Sequence, residues 1–258
     1  MQQLKDKIIL LTGGSMGIGH ACALKYAEGG AKVVVAANDR GSLDHTMEIL
    51  GMDHLGIFCD VTNADDVKEA VRKTLQRYGR IDAIHNNAGI AQPSKPLHET
   101  SEAEWQQVLD TNLKSVFHTC RFGIEALKQT KGSILNTSSL VGTIGQENHA
   151  AYSATKGAMD ALTKSMAIDY AAWQIRVNAV APAGVWTPML RKWSREQSNG
   201  ASGEDYLNNI HLLGYCPEAD VIADACVFLL SDKARFITGH IMPVSGGAEL
   251  GYRKVMPR

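Results

Sequence analysis

Short apolar runs recur along this 258-residue chain, each followed by a longer segment of helical periodicity, and that rhythm leaves few architectures open. The runs cover residues 7–12, 32–37, 55–59, 83–86, 133–138, 175–181 and 241–245. Near-continuous Val, Ile and Leu predicts strands buried on both faces. Helical patterns near 18–29, 42–50, 64–78, 102–129, 150–171 and 218–231 lie between them, with start signals such as Thr62-Asn63-Ala64-Asp65-Asp66. Strict strand-helix alternation predicts an α/β, doubly wound parallel sheet of seven strands with helices on both faces. No repeat, low-complexity tract or proline-rich linker divides the chain, so residues 1–258 are expected to form a single domain. Residues 186–214 are polar and poorly periodic and are expected to form an irregular substrate lid.

Composition narrows the function. The 26 basic and 27 acidic residues leave a formal net charge of -1, which offers no electrostatic footprint for nucleic acid or an anionic membrane. The first apolar run is too short for a signal-peptide core or a membrane span. Cys22, Cys59, Cys120, Cys216 and Cys226 are widely spaced and form no Cys-x-x-Cys pair, as expected of reduced thiols in a cytoplasmic protein. A small-molecule substrate is the expectation.

The first strand runs into Thr12-Gly13-Gly14-Ser15-Met16-Gly17-Ile18-Gly19. Glycines there permit the close approach and tight turning by which backbone N–H groups and a helix dipole hold a dinucleotide pyrophosphate. The spacing is G-x-x-x-G-x-G, and the same stretch satisfies G-x-S-x-G, the nucleophile elbow of hydrolases, with Ser15 as nucleophile. An elbow normally follows several strands, whereas Ser15 follows only the first. Further along, Tyr152 and Lys156 stand at i and i+4, a spacing that puts them on one helix face. An ammonium beside the phenol is expected to lower its pKa and make it a usable acid/base near neutrality. Ser139, just beyond the fifth strand, can hold a substrate oxygen at the sheet's carboxyl edge. The nine histidines include no His-Glu-x-x-His and no paired-cysteine spacing, so no metal is expected in the reaction.

These motifs, in this order, resemble the single-domain short-chain dehydrogenases/reductases over essentially the whole chain. The resemblance implies a Rossmann fold and an NAD(P)(H)-dependent oxidoreductase that interconverts an alcohol and a carbonyl by hydride transfer. Asn112, Ser139, Tyr152 and Lys156 match the family's catalytic tetrad. Tyr152 would exchange the proton, Lys156 would also bond the nicotinamide ribose, and Asn112 would hold a water linking Lys156 to solvent. Cofactor contacts are implied at Gly13, Ser15, Met16, Gly17, Ile18 and Gly19 of the turn, and at Asn38 and Asp39 beyond the second strand. They extend to the adenine-side pair Asp60-Val61, to Asn87, Ala88 and Gly89, to Thr137, and to Pro182, Val185 and Thr187. NAD-specific members carry an acidic residue where Ala37 stands; Asn38 and Arg40 suit a 2′-phosphate, Asp39 suits a ribose hydroxyl, and Met16 replaces a basic residue common in NADP-dependent relatives. The balance leans slightly to NADP(H) over NAD(H). Ala183 and Ser245 also depart from the family pattern, in loops away from the tetrad.

Leu140, Gln146, His149, Trp186, Met189 and Leu190, with Gln92, are the candidate substrate-side residues. His149 either lines the pocket or helps start its helix. The mixture leaves sugar, polyol, small ketone and acyl-carrier substrates open. Relatives share a four-helix interface built from the segments 102–129 and 150–171, so a homotetramer, or a homodimer, is expected; the small and apolar Ala154, Ala158, Met159, Ala161, Leu162, Ser165, Met166 and Ile168 suit close helix packing. A non-catalytic dinucleotide-binding regulatory protein of the same fold is the alternative, which an intact tetrad disfavours.

Overall fold

The computed structural model describes residues 2–196 and 200–250. Seven parallel strands form one sheet in the order β3-β2-β1-β4-β5-β6-β7. They are β1 (Ile8–Thr12), β2 (Lys32–Ala37), β3 (Leu55–Phe58), β4 (Ala83–Asn86), β5 (Ser133–Thr137), β6 (Arg176–Pro182) and β7 (Ile241–Val244). The order reverses between β1 and β4, so the loops leaving those neighbours diverge and open a crevice at the carboxyl edge. Pro243 is tolerated in β7 because that strand is an edge.

The strand period of two splits the core. Ile9, Leu11, Val33, Val35, Ala83 and Leu135 face one side and pack with α1 (Gly17–Glu28), α2 (Arg40–Leu50) and α9 (Ala219–Leu230). Leu10, Val34, Ala36, Ile84 and Ile134 face the other and pack with α3 (Ala64–Tyr78), α5 (Ser115–Thr130) and α6 (Ala150–Asp169). Buried on both faces, the strands read as the continuous apolar runs seen in the sequence.

Two expectations need correction. The segment 102–129 is not one regular helix: α4 (Glu102–Leu109) passes through a π-helical turn at Asp110–Lys114 into α5. The stretch 186–214 is not irregular either, since it carries α7 (Pro188–Glu196) and α8 (Gly200–Asn209). Thr187 accepts a hydrogen bond from Leu190 N and starts α7, with Pro188 in the first turn where its missing N–H costs nothing. Gln197, Ser198 and Asn199 of that stretch lie outside the described residues. Among the described residues no helix is long and apolar enough to cross a membrane.

Ile84, fully buried in central β4, also meets Gly123 of α5 so closely that a Cβ there would lie 2.4 Å from Ile84 Cδ1. Ile84→Ala therefore leaves a cavity that the helix cannot fill, and is expected to lower the unfolding free energy by about 3 kcal/mol. Urea denaturation measures it; a loss below about 1 kcal/mol would show that the layer collapses around the deletion.

Candidate active site

The glycine turn and the β4 loop meet across the crevice. Thr12 Oγ1 donates to His85 O at 3.4 Å and accepts from Asn87 N at 3.1 Å and Ala88 N at 3.2 Å. Asn87 Nδ2 returns to Thr12 O and Gly13 O, at 3.2 and 3.0 Å. This contact explains two glycines. Gly13 has φ +63°, and a Cβ on it would lie 2.8 Å from Ala88 Cα; a Cβ on Gly19 would lie 2.1 Å from Gly13 O. Met16, the residue before α1, places no side-chain acceptor on the helix's first amides. Free amides, a helix dipole and a cradle that any Cβ would fill suit a dinucleotide pyrophosphate.

The other residues expected to contact the cofactor lie in the glycine turn or follow the carboxyl ends of β2, β3 and β6. Ile18 packs at the edge of the α1 layer core. Ser15 is buried and its Oγ accepts from Ser42 Oγ at 2.9 Å, while Met16 is 54% exposed. Asp39 caps α2 by accepting from Ser42 N at 2.8 Å, and the Ser42 hydroxyl first and its N–H second hold the Asp39 carboxyl below the usual range. Asn38 is exposed beside it, and the Arg40 guanidinium lies 4.5 Å over the Phe58 ring. Beyond β3, the Asp60 carboxylate accepts from Thr62 N and Oγ1, and Val61 is buried. Past β6, buried Val185 leads to Thr187, whose Cγ2 would meet a Cβ on Gly17 at 3.2 Å, so the start of α7 lies against the glycine turn.

The four tetrad positions converge at the carboxyl ends of β4 and β5. Lys156 is 3% exposed, and its Nζ donates to Thr137 O at 2.6 Å and lies 5.6 Å from the Tyr152 ring centre. Burial pushes its ammonium down to about 8, against the opposing pull of Asp160. Ser139 Oγ lies 3.5 Å from Pro182 O. Tyr152 departs from the sequence expectation: burial raises its phenol above the ordinary value, and the group acting to lower it is the Ser139 hydroxyl rather than Lys156. The lysine is held toward Thr137, beside the ring and not at its oxygen.

Asn112, in the π turn, is fully buried. Its Oδ1 accepts from Ile90 N at 2.8 Å, and its Nδ2 donates to Ile90 O at 2.8 Å and Thr155 Oγ1 at 3.1 Å. The carboxamide therefore ties the β4 loop to α6. Gly89 lies between, where a Cβ would come 3.3 Å from Asn112 Oδ1 and 3.7 Å from Lys156 Nζ.

His149 occupies the position before α6 yet makes no side-chain capping bond there. Its imidazole instead meets the Tyr152 ring edge-on at 6.3 Å, with Nε2 3.4 Å from Ser94 Oγ. His149 also stands at the helix start, where its carbonyl accepts from Ser153 N at 2.8 Å. Leu140 is buried nearby, whereas Gln146 and Met189 are exposed, and Trp186 lies 5.0 Å under the Arg191 guanidinium.

Sequence reasoning missed Asp160. It is 6% exposed, sits one turn beyond Lys156, and accepts from Ser138 Oγ at 2.5 Å, beside Ser139. Burial raises its pKa. The signal was present: Tyr152, Lys156 and Asp160 continue one i, i+4 row along α6.

Residues 13–249 match the family model described as Enoyl-(Acyl carrier protein) reductase. The L-fucose dehydrogenase of Bos taurus is 36% identical over 246 residues, covering 95% of this chain and 90% of that protein. The 2,5-dichloro-2,5-cyclohexadiene-1,4-diol dehydrogenase of Sphingobium indicum is 39% identical over 249 residues, covering 96% and 98%. Among solved structures, the 3-ketoacyl-(acyl-carrier-protein) reductase of Brucella melitensis complexed with NADH superposes with a TM-score of 0.87 at 29% identity, covering 95% and 99%. With the nucleotide cradle, the parallel sheet and this span of similarity in agreement, the chain belongs to the short-chain dehydrogenases/reductases, NAD(P)-dependent oxidoreductases of alcohol and carbonyl groups.

Proposed function

We propose that this enzyme interconverts a ring alcohol and the corresponding ketone on a small polyhydroxylated molecule, a sugar or cyclic diol, with Tyr152 as the acid/base. The observation that carries the reading is the convergence of Ser139, Tyr152 and Lys156 beside the crevice that holds the glycine turn. NAD(P) supplies the hydride acceptor or donor at its nicotinamide. Ser139 binds the reacting oxygen and orients it; Tyr152 takes the hydroxyl proton as the carbonyl forms and returns it in the reverse direction. Lys156 fixes positive charge beside the phenol and reaches the cofactor ribose. With Asn112's side chain bound to Ile90 and Thr155, any proton-relay water rests on its main chain. Two polar groups, His149 Nε2 and Ser94 Oγ, are available beside Tyr152 for a neighbouring ring hydroxyl. The similarity to dehydrogenases of L-fucose and of a cyclohexadiene diol supports that substrate class.

NADP(H) is the proposed preference. Asp39 is engaged as a helix cap, while Asn38 is open to solvent and Arg40 rests on an exposed aromatic face from which it can turn to a 2′-phosphate. Helices α7 and α8 form the lid. A homotetramer is supported by Phe117 of α5 and Ile168 of α6, which are 53% and 78% exposed, although Met159 and Met166 of the row expected to pack between chains belong to this chain's own core. The free cysteines suit a cytoplasmic setting.

Tyr152→Phe is expected to reduce turnover by at least about 1000-fold, within the range of general acid/base catalysis, while tryptophan-quenching titrations with NADPH and NADH stay unchanged. Retained turnover sinks the acid/base assignment, and a preference for NADH in the same titration sinks the cofactor choice. Asp160→Asn keeps the shape of the Ser138 contact but removes the charge that opposes the downward shift of Lys156. Lys156 loses its proton as pH rises through about 8, so the alkaline limb of kcat/KM for carbonyl reduction should move to lower pH by about 1 unit. An unmoved limb would mean that Asp160 acts only on the Ser138 loop.

A further inference from the structure

Four polarisable groups converge in the apolar layer between the sheet and helices α1 and α9, outside the substrate crevice. His85 lies on the β4 face that carries Ala83 toward this layer and is fully buried, as are Cys22 and Tyr26 on α1 and Cys226 on α9. One ligand atom from each of Cys22, His85 and Cys226 lies within 4.8 Å of the others. Tyr26 Oη is 2.8 Å from His85 Nδ1, and His85 Nε2 is 2.9 Å from Thr137 Oγ1. Buried cysteines are commonly small apolar fillers, and a histidine with two partners needs no third. Yet neither habit explains why two thiols from separate helices meet the same imidazole at ligand spacing.

We propose that Cys22, His85 and Cys226 bind one thiophilic divalent cation, Zn2+ by the chemistry of the set, with the Tyr26 phenol oxygen in the fourth position. Tetrahedral zinc places thiolate sulfurs about 3.8 Å apart, within the separation found here. Two thiolates and a neutral imidazole cancel the dication, so the apolar layer holds no net charge. Each cysteine releases its thiol proton to solvent as the metal binds, and His85 gives up its Nδ1 contact with Tyr26 to ligate. Thr137 remains on Nε2 and fixes the ring, the outer contact that metal-bound histidines require. The cluster includes no carboxylate, which argues against Mg2+ and Ca2+. Burial on every side leaves no position for substrate, so the cation is structural: it joins α1, whose first turn receives the cofactor, to α9 and β4. This is distinct from the reaction, which needs no metal in the proposed function.

Protein produced in zinc-supplemented medium, and separately in cobalt-supplemented medium, tests the proposal without opening a sealed site. The expected results are about one metal per chain by mass spectrometry, a thiolate-to-cobalt charge-transfer band in the near ultraviolet, and a higher melting temperature than the same protein after a chelator under mild denaturant and refolding. Cys22→Ala and Cys226→Ala should each lower metal content at least tenfold and abolish the band, with the NADPH titration confirming the fold. Wild-type protein without stoichiometric metal or without the band overturns the proposal, as does a band that survives both substitutions. The wild-type metal content and melting comparison decide the matter even if either variant fails to fold.

Discussion

The stitch between Thr12 and Asn87 is the constraint on which the site depends. Parallel strands β1 and β4 are neighbours, but the chain leaves them in opposite directions, so nothing in the sheet ladder fixes one loop against the other. One hydroxyl and one carboxamide do so, through three main-chain groups of the β4 segment and two of the glycine turn. A fully used Thr hydroxyl and Asn amide fix direction as well as distance, since each donor has one acceptor in line. Close contact then forces Gly13 and Gly19, because the carbonyls and amides of the two loops fill the volume where Cβ atoms would stand. The nucleotide cradle is thus a consequence of joining two diverging loops as tightly as backbone allows.

The same economy of groups recurs around Lys156. A buried ammonium is costly unless its protons are accepted, and the Thr137 carbonyl at the end of β5 accepts one of them. Burial lowers the pKa and Asp160 raises it, leaving the group poised near 8 rather than at the value of an exposed lysine. Asp160 is in turn held by Ser138, so the serine loop and the lysine share a partner on one helix face. Burial keeps the phenol of Tyr152 above its ordinary pKa, against the lowering contact of the Ser139 hydroxyl, while the ammonium lies beside the ring.

Local motifs made the fold and most of the site legible. Seven apolar runs, the glycine turn and the Tyr152-Lys156 spacing depend on neighbours in sequence, and each sits where the pattern put it. Features that depend on distant residues were not legible. The π turn at Asp110–Lys114 follows no residue signal, and it buries Asn112 where Ile90 and Thr155 can bind it. Helices α7 and α8 were missed for a different reason: Thr187-Pro188 is a good helix start, but the polar residues after it hide the periodicity. Lys156 lowering the Tyr152 pKa followed from spacing alone, which fixes a shared face but not the direction in which a long side chain extends. Cys22, His85 and Cys226 lie in three separate elements, so no spacing rule for metal ligands could join them.

His85 shows how a buried polar residue can link regions that share no surface. The layer around it is apolar, and an unpartnered imidazole there would be destabilising by about 1–3 kcal/mol. Its two nitrogens turn in opposite directions, one toward Tyr26 on α1 and the other toward Thr137 on β5. Thr137 passes the connection on, with its hydroxyl donating to Asn87 Oδ1 at 3.3 Å and its carbonyl receiving Lys156. Asn87 closes the path at the glycine turn. The His85 contact therefore fixes the direction of the Thr137 hydroxyl, and through it the Asn87 carboxamide that joins the glycine turn to the β4 loop. Apolar packing alone could fill the same volume, but without directional bonds it would leave α1, β5 and the cradle free to shift independently.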